Sequence, residues 1–339
     1  MSPARGSLPS RMGTGARRGS RATRTTGALG AMVLAGALLM TTGVAHAAEP
    51  IGGADLAGTE VVVHPGEGAP ALPDVKAETW LVADATTGEV LAAKGAHVRR
   101  APASTLKTLL ALTVMPQVSP DRTITVGPKV TNVGGTRVGL ARGHTYTLDQ
   151  LWYAVFLPSA NDAAVAVAKI NGGLAHTVDQ MNQTAAQLQA HDTVAKTPNG
   201  LDAPGQVSSA YDLALIARAG MSRSDFAKYA GTARTSFPDS TGTGEHTITT
   251  TNRLLLHGWP GMLGVKTGFT THAGRTYVGM ARRGDRTVLV TLMGIHEPSA
   301  DAARKLLSWG FAADGKVTPV GTLVQPGAPV PGGAEQVSR

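Results

Sequence analysis

The sequence predicts an α+β fold in which strands from both ends of the chain form one antiparallel sheet around a helical middle. Three observations lead to this prediction. Strand-like segments flank the turn dipeptide Thr87-Gly88, helical patterns fill residues 104–219, and strand-like segments separated by glycine-containing turns return after Thr247. Strands at the two ends with helices between them are typical of a sheet assembled from the terminal segments.

The elements follow from local patterns. Residues 80–83 and 89–93 are strand-like and flank a turn dipeptide, so they form a predicted hairpin. Residues 104–115 are rich in Leu, Ala and Thr and end at Pro116, as a buried helix would. Further helices are predicted over residues 148–157, 162–170, 174–190, 209–219 and 299–311, and further strands over residues 263–267, 275–281 and 287–294.

Residues 1–47 have the features of a signal peptide. They contain six arginines and no acidic residue, then an uncharged apolar run, and they end in Ala45-His46-Ala47, which suits cleavage after Ala47. We therefore expect export to the extracellular or cell-wall space, by the general secretory route rather than the twin-arginine route. An uncleaved N-terminal anchor is the alternative. Removal of this segment leaves 25 basic against 23 acidic residues.

The remaining chain divides into three predicted parts: a flexible lead-in at 48–78, a catalytic domain at 79–313, and a Pro/Gly-rich tail at 314–339. The tail has no amphipathic helix, so no stable membrane anchor is expected in the mature chain. The near-neutral mature charge and the lack of any reading motif argue against a nucleic-acid partner. The absence of cysteine excludes thiolate chemistry, and the ten scattered histidines predict no metal site and no cofactor.

Ser104 and Lys107 are a candidate nucleophile and base. They lie three residues apart in a predicted helix, which places them on one face with Cβ atoms about 5 to 6 Å apart. A serine needs an adjacent base, and a lysine can be that base only when burial or a neighbouring positive charge lowers its pKa. Apolar residues surround the pair in sequence, and Lys266 could supply the charge. Alone, the spacing is more typical of a cap serine and a surface lysine.

Two further segments carry candidate polar groups. In the loop at 157–162, Ser159 could relay a proton and Asn161 could both donate to a substrate carbonyl and accept from a lysine. In the predicted strand at 264–270, Lys266 and the hydroxyls of Thr267 and Thr270 could bind a carboxylate. Each segment also has an ordinary structural interpretation, as a helix cap and as an exposed strand edge.

The three patterns Ser-x-x-Lys, Ser-x-Asn and Lys-Thr-Gly each occur once, in the order found in β-lactamases and penicillin-binding proteins. From about residue 79 to residue 311 the chain resembles the serine D-alanyl-D-alanine carboxypeptidases among the low-molecular-mass penicillin-binding proteins. Connecting segments are also similar, namely residues 84–91, 102–104, 197–201 and 251–255. This resemblance implies a penicillin-binding/β-lactamase-like transpeptidase fold.

The resemblance also implies roles. Lys107 would accept the Ser104 proton, Ser104 would attack the penultimate D-Ala of a peptidoglycan stem peptide, and Ser159 would protonate the leaving D-Ala. The oxyanion would be held by the backbone amides of Ser104 and Phe269. The binding segment would comprise Lys266, Thr267, Gly268, Phe269 and Thr270, with Lys266 and Thr267 holding the terminal carboxylate. β-Lactams would be covalent inhibitors.

Three alternatives remain open from the sequence. A class A β-lactamase needs a glutamate for deacylation, and residues 197–205 contain Asp202 but no glutamate. A DD-endopeptidase would use the same residues on a cross-link. A catalytically silent penicillin-binding module would be expected to have lost one of the polar groups, and all of them are present.

Overall fold

The computed structural model describes residues 50–241 and 244–327, and the predicted signal peptide, residues 1–47, lies outside them. The described strands are β1 (Val61–Pro65), β2 (Ala77–Asp84), β3 (Glu89–Lys94), β4 (Thr123–Thr125), β5 (Thr145–Thr147), β6 (Arg234–Pro238), β7 (Glu245–Thr249), β8 (Met262–Thr270), β9 (Gly274–Arg283), β10 (Arg286–Ile295), β11 (Val317–Thr318) and β12 (Gly321–Thr322). The described helices are α1 (Lys107–Val114), α2 (Pro128–Thr131), α3 (Leu148–Phe156), α4 (Asn161–Ile170), α5 (Leu174–Gln187), α6 (Ala210–Met221), α7 (Ser224–Ala230), α8 (Arg253–Leu256) and α9 (Ser299–Ala312).

The main sheet confirms the predicted α+β class. Its strand order is β11-β1-β3-β2-β10-β9-β8, with β12 also paired to β3. The pairings are antiparallel, and the strands come from the two ends of the described chain. The predicted hairpin is confirmed as β2 and β3, which pair directly. Strand β8, which carries the Lys-Thr-Gly pattern, lies at the end of the strand order.

The sheet is buried on both faces. Along β2, Leu81 belongs to the cluster formed with α1, α3, α4 and α6, whereas its neighbours Trp80 and Val82 belong to a second cluster with α9. This alternation follows from the two-residue period of a strand. Full burial of each large apolar side chain contributes roughly 1.5 to 3 kcal/mol. The two clusters therefore hold β8 and α1, which carry the candidate chemistry, against a rigid support.

Both terminal segments differ from the sequence expectation of flexible ends. Within the lead-in at 48–78, β1 pairs with β3 and with β11, and Leu56 is buried. Within the tail, β11 and β12 join the sheet and Leu323 is buried. The high glycine and proline content of these segments predicts loops. The short strands form nevertheless, because long-range pairing rather than local propensity stabilises them.

The middle of the chain matches the predicted helices to within a few residues. The nucleophile segment differs, because it begins with a 3₁₀ turn (Ala103–Leu106) before α1. The hairpin β6–β7 and helix α7 were not predicted from the sequence. Among the described residues, no helix is both long enough and apolar enough to cross a membrane.

Candidate active site

Ser104 lies in the 3₁₀ turn that leads into α1, and the backbone there is held in an uncommon conformation. Ala103 has a φ of 48°, a left-handed value that costs a non-glycine residue about 1 to 3 kcal/mol. Gly200, at φ +79°, lies so close that an added Cβ would be 1.9 Å from the Ala103 carbonyl oxygen. The loop at 197–205 therefore packs directly against the nucleophile turn, and only glycine fits at position 200.

Lys107 is fully buried, with three oxygen atoms around its Nζ. It donates to Ser104 Oγ at 2.7 Å, to Asn161 Oδ1 at 2.8 Å and to the Asn199 carbonyl oxygen at 2.7 Å. A lysine ammonium has three N–H donors, so these oxygen atoms satisfy it completely. The sequence predicted the contacts with Ser104 and Asn161 but gave no reason to expect the Asn199 carbonyl.

The three partners determine where a lone pair on Lys107 would point. Asn161 Nδ2 donates to the Gly134 carbonyl at 2.8 Å, which fixes Asn161 Oδ1 as the atom facing Lys107. That oxygen and the Asn199 carbonyl can only accept hydrogen bonds. Of the three partners, Ser104 alone carries a proton that it can donate. A neutral Lys107 therefore directs its lone pair at the Ser104 hydroxyl.

The electrostatic surroundings favour that neutral form. Burial, and after it the positive charge of Lys266, hold the pKa of Lys107 well below its usual range, while the Asp162 carboxylate acts in the opposite direction. The Asp162 carboxylate is occupied by other hydrogen bonds. Its two oxygen atoms accept hydrogen bonds from four backbone N–H groups, those of Val138, Gly139, Leu140 and Ala163. The candidate base thus lies among neutral acceptors rather than opposite a carboxylate partner.

The backbone at Ser159 has a left-handed conformation, and its hydroxyl has no partner in the described part of the chain. Its φ is 66°, and it lies in the turn between α3 and α4, one residue before the Ala160 N-cap. The Ser159 hydroxyl is buried without a hydrogen-bond partner among the described residues. Buried hydroxyls are usually paired, and strained residues cluster at functional sites. Ser159 and Ser104 line the same cavity.

Strand β8 approaches the nucleophile turn at Gly268. A Cβ at this position would be 2.7 Å from the Ser104 backbone nitrogen and 2.4 Å from Thr276 Oγ1. Thr276 Oγ1 in turn donates to the Pro102 carbonyl at 2.9 Å. Glycine in the Lys-Thr-Gly pattern is therefore required so that two backbones can approach each other.

Lys266 is buried, unlike the exposed strand-edge lysine of the ordinary structural interpretation. Its side chain is 1 % exposed, and Nζ donates to the Thr267 carbonyl at 2.8 Å. Burial lowers the pKa of Lys266 to about 7. It is not among the residues that line the cavity at Ser104. Its positive charge lowers the pKa of Lys107.

The cavity at Ser104 has a volume of about 660 Å³. One wall carries two hydroxyls in contact, Thr251 Oγ1 and Thr267 Oγ1, 2.7 Å apart. At the C-terminal end of β8, Thr270 Oγ1 donates to Asp202 Oδ1 at 2.7 Å. This hydrogen bond links β8 to the loop at 197–205. The lining residues are Ser104, Thr136, Pro158, Ser159, Thr251, Arg253, Thr267, Gly268, Phe269, Arg275, Tyr277, His296, Glu297, Pro298, Ser299 and Ala300.

The structure thus brings the candidate side chains together from residues far apart in sequence. Sequence reasoning missed Thr251, Arg253 and Arg275 as parts of the cavity, although the segment at 251–255 was already a point of family resemblance. Phe269, predicted from its backbone amide, also exposes 63 % of its surface at the rim. No group of three or more His, Asp or Glu side chains that could hold a metal ion occurs in the part of the chain that the structure describes.

Comparison with known proteins identifies one family. The D-alanyl-D-alanine carboxypeptidase family matches residues 67–297. The chain is 39 % identical to the D-alanyl-D-alanine carboxypeptidase DacB2 of Mycobacterium tuberculosis, over 76 % of this chain and 89 % of that protein. It is 35 % identical to DacD of Escherichia coli, over 71 % of this chain and 65 % of that protein. The chain therefore spans just under two thirds of the length of DacD.

Solved structures give the same result. The crystal structure of a D-alanyl-D-alanine carboxypeptidase from Mycobacterium tuberculosis matches with a TM-score of 0.72 at 38 % identity, covering 77 % of this chain and all of that one. The Streptomyces K15 DD-transpeptidase matches with a TM-score of 0.68 at 28 % identity, covering 72 % of this chain and all of that one. These neighbours confirm the penicillin-binding fold expected from the resemblance.

The contact at Gly268 gives a testable prediction. Gly268→Ala should lower the rate at which a penicillin acylates Ser104 by roughly a hundredfold, because displacement of β8 from the Ser104 amide misplaces reacting groups. Gly127→Ala is the matched control, since a Cβ there meets no atom within 4 Å. The rate is measured by stopped-flow or quenched-flow labelling with a fluorescent penicillin. An unchanged rate in a folded Gly268→Ala protein would contradict the close approach.

The pH dependence of acylation gives a second prediction. With Lys107 as the expected base, acylation requires its neutral form, so the acylation rate should rise as pH increases through the pKa of Lys107. Lys266→Met removes a positive charge that lowers this pKa; the ascending limb of the profile should therefore move to higher pH. The measurement is the acylation rate constant across pH for wild type and variant. A limb that stays in place, or moves to lower pH, would show that Lys266 does not tune Lys107.

Proposed function

The chain belongs to the D-alanyl-D-alanine carboxypeptidase family, and we propose that it removes the terminal D-Ala of peptidoglycan stem pentapeptides through an acyl-enzyme on Ser104. The observation that carries this proposal is the buried Lys107: of its three partners in the described part of the chain, the Ser104 hydroxyl alone can donate a proton. The same geometry supports covalent inhibition by β-lactams, because they acylate the same hydroxyl.

Acylation begins when Lys107 removes the Ser104 proton as Ser104 Oγ attacks the carbonyl carbon of the penultimate D-Ala. The charge that develops on the carbonyl oxygen needs fixed donors. The backbone N–H groups of Ser104 and Phe269 fit this role. Gly268, the residue before Phe269, lets β8 lie against the Ser104 nitrogen. One such donor typically contributes about 3 kcal/mol of transition-state stabilisation.

Collapse of this intermediate expels the terminal D-Ala as an amine, which must gain a proton. The unpartnered Ser159 hydroxyl lines the cavity beside Ser104 and is the group that we assign to relay it. Asn161 holds Lys107 in place and fixes its orientation. Water then attacks the ester, and Lys107 again accepts the proton.

Recognition of the terminal carboxylate involves β8. The Thr267 hydroxyl lies in the cavity wall, in contact with that of Thr251. Lys266 precedes Thr267 on β8 and is buried, so its charge adds a positive field without direct exposure. Thr270 contributes differently, since its hydroxyl anchors the end of β8 to Asp202.

The hydrogen bond between Thr270 and Asp202 also disfavours the β-lactamase alternative. Residues 197–205 contain no glutamate, and the carboxylate of Asp202 accepts a hydrogen bond from Thr270 at 2.7 Å. Asp202 therefore acts as an anchor for β8 rather than as a base that activates the deacylating water. Export by the predicted signal peptide at 1–47 would deliver the enzyme to its peptidoglycan substrate, and it forms part of this proposal.

Product analysis tests the proposal. The wild-type protein should release free D-Ala from a stem pentapeptide, and Ser104→Ala should release none, because the attacking hydroxyl is gone. Ser119→Ala, at an exposed position, is the matched control and should retain full release. D-Ala and the tetrapeptide are quantified by chromatography with mass detection. Release by Ser104→Ala at the wild-type rate, or no release by the wild type, would overturn the proposal.

A further inference from the structure

The loop at 197–205 contributes one atom to the surroundings of the candidate base, the carbonyl oxygen of Asn199. This oxygen accepts a hydrogen bond from Lys107 Nζ at 2.7 Å. The loop itself contains no helix or strand, and its two ends meet where Val194 pairs with Val207. Compact loops with paired ends are held by their own side chains. The position of the Asn199 carbonyl must therefore be set by side chains within this segment.

The side chain of Gln206 connects the two arms of the loop. It is 5 % exposed. Its Oε1 accepts hydrogen bonds from the Lys196 backbone N–H at 3.1 Å, and from the backbone N–H and the hydroxyl of Thr197, both at 2.9 Å. Its Nε2 donates to the Leu201 carbonyl at 2.7 Å. One buried side chain thus joins the beginning, the middle and the end of the loop.

These partners fix the orientation of the Gln206 amide and require its chemistry. The backbone N–H groups of Lys196 and Thr197 can only donate, and the Leu201 carbonyl can only accept. The group between them must therefore accept on one side and donate on the other. An amide does both, whereas a carboxylate has no proton to donate and an aliphatic side chain offers neither group. Loss of the amide would leave these backbone groups without their partner, which is costly for buried groups.

A chain of hydrogen bonds connects Gln206 to the carbonyl that faces Lys107. The Asn199 carbonyl and the Gly200 N–H belong to one planar peptide unit. That N–H donates to Thr197 Oγ1 at 3.2 Å. The Thr197 hydroxyl donates its own proton to Gln206 Oε1, so a lone pair of the hydroxyl stays directed at Gly200. Gln206 thereby fixes the tilt of the peptide whose carbonyl accepts from Lys107.

The Asn199 carbonyl matters most when Lys107 is neutral. A neutral amine has two N–H groups and one lone pair. While Asn161 Oδ1 and the Asn199 oxygen accept the two N–H groups, the lone pair faces the Ser104 hydroxyl. If the Asn199 oxygen turns away, one N–H group can donate to Ser104 Oγ instead. The lone pair then no longer faces the proton that it must accept.

We propose that Gln206 is a positioning residue for acylation: by holding the Asn199–Gly200 peptide, it keeps the lone pair of Lys107 directed at the Ser104 hydroxyl. Gln206 is not among the residues that line the cavity at Ser104, so it acts through the loop rather than on the substrate. This inference rests on the proposed function, because it uses Lys107 as the base for Ser104.

The test compares the acylation of wild type and Gln206→Met by a fluorescent penicillin. Methionine keeps the length of the side chain and removes both of its polar groups. Measurement over a range of penicillin concentrations separates the dissociation constant of the first complex from the rate constant of the acylation that follows. We expect this rate constant to fall by roughly tenfold to a hundredfold, because the base is misplaced. The dissociation constant should stay unchanged, because Gln206 does not line the cavity.

The pH dependence distinguishes orientation from charge. Above the pKa of Lys107 the amine is neutral in both proteins, so the acylation rate constant there reports the geometry of proton transfer. We expect the loss in Gln206→Met to persist on this high-pH plateau. A loss that disappears at high pH would mean that Gln206 acts on the charge of Lys107 rather than on its orientation, and the inference would be overturned.

Gln189→Met is the matched control. Gln189 is also a buried glutamine, 6 % exposed, and its Nε2 donates to the backbone carbonyl of Gln325 at 3.0 Å. Neither residue belongs to the loop at 197–205, so this variant should keep the acylation rate constant of the wild type. An equal loss in Gln189→Met and Gln206→Met would reveal general destabilisation and overturn the inference. Thermal unfolding establishes that each variant is folded.

A second variant keeps the inference falsifiable should Gln206→Met fail to fold. Thr197→Val preserves the shape of the side chain but removes the hydroxyl that connects Gln206 to Gly200, so it should also lower the rate constant on the high-pH plateau. A wild type that is acylated on Ser104, beside folded variants with an unchanged rate constant, overturns this inference and preserves the proposed function. A wild type that forms no acyl-enzyme on Ser104 overturns the proposed function itself.

Discussion

The site depends on one constraint: a lysine buried completely among neutral acceptors. Among the residues that the structure describes, no carboxylate forms an ion pair with Lys107, and a buried charge without such a partner is costly. Its neutral form is therefore favoured, and the positive charge of Lys266 acts in the same direction. Because the Asn161 and Asn199 oxygen atoms cannot donate, neutralisation of Lys107 directs its lone pair to Ser104. In the mechanism that we propose, a single buried amine thus activates Ser104 and sets the direction of proton transfer.

The rest of the fold keeps this amine buried and its partners fixed. The two cores on either face of the sheet hold β8 and α1 together, and glycines at positions 200 and 268 let the loop and the strand close onto the nucleophile turn. Strained backbone at Ala103 and Ser159 persists because these contacts over-determine it. Asp162, bonded to four backbone N–H groups, ties the loop at 138–140 to α4.

The sequence predicted much of this site because its chemistry is local. Helical spacing placed Ser104 near Lys107, and the order of three short patterns indicated the family. Contacts made by backbone atoms, such as the Asn199 carbonyl, cannot be predicted from a pattern of side chains. Arg253 and Arg275 were missed because an arginine in a strand or short helix is usually a solvated surface residue. Strands β1, β11 and β12 were missed because only long-range pairing stabilises them. The predicted domain boundaries and residue roles stay predictions until they are measured.

The most direct test of the central claim is a titration of the Lys107 side chain by NMR, with lysine labelled at Cε and the resonance assigned by comparison with Lys107→Arg. The account predicts that Lys107 loses its proton well below the value of about 10.4 that an exposed lysine shows, so that a neutral amine faces Ser104 in the working enzyme. A Lys107 that titrates at or above that value would be an ammonium throughout the functional range. It could not then accept the Ser104 proton, and the account of activation would be contradicted.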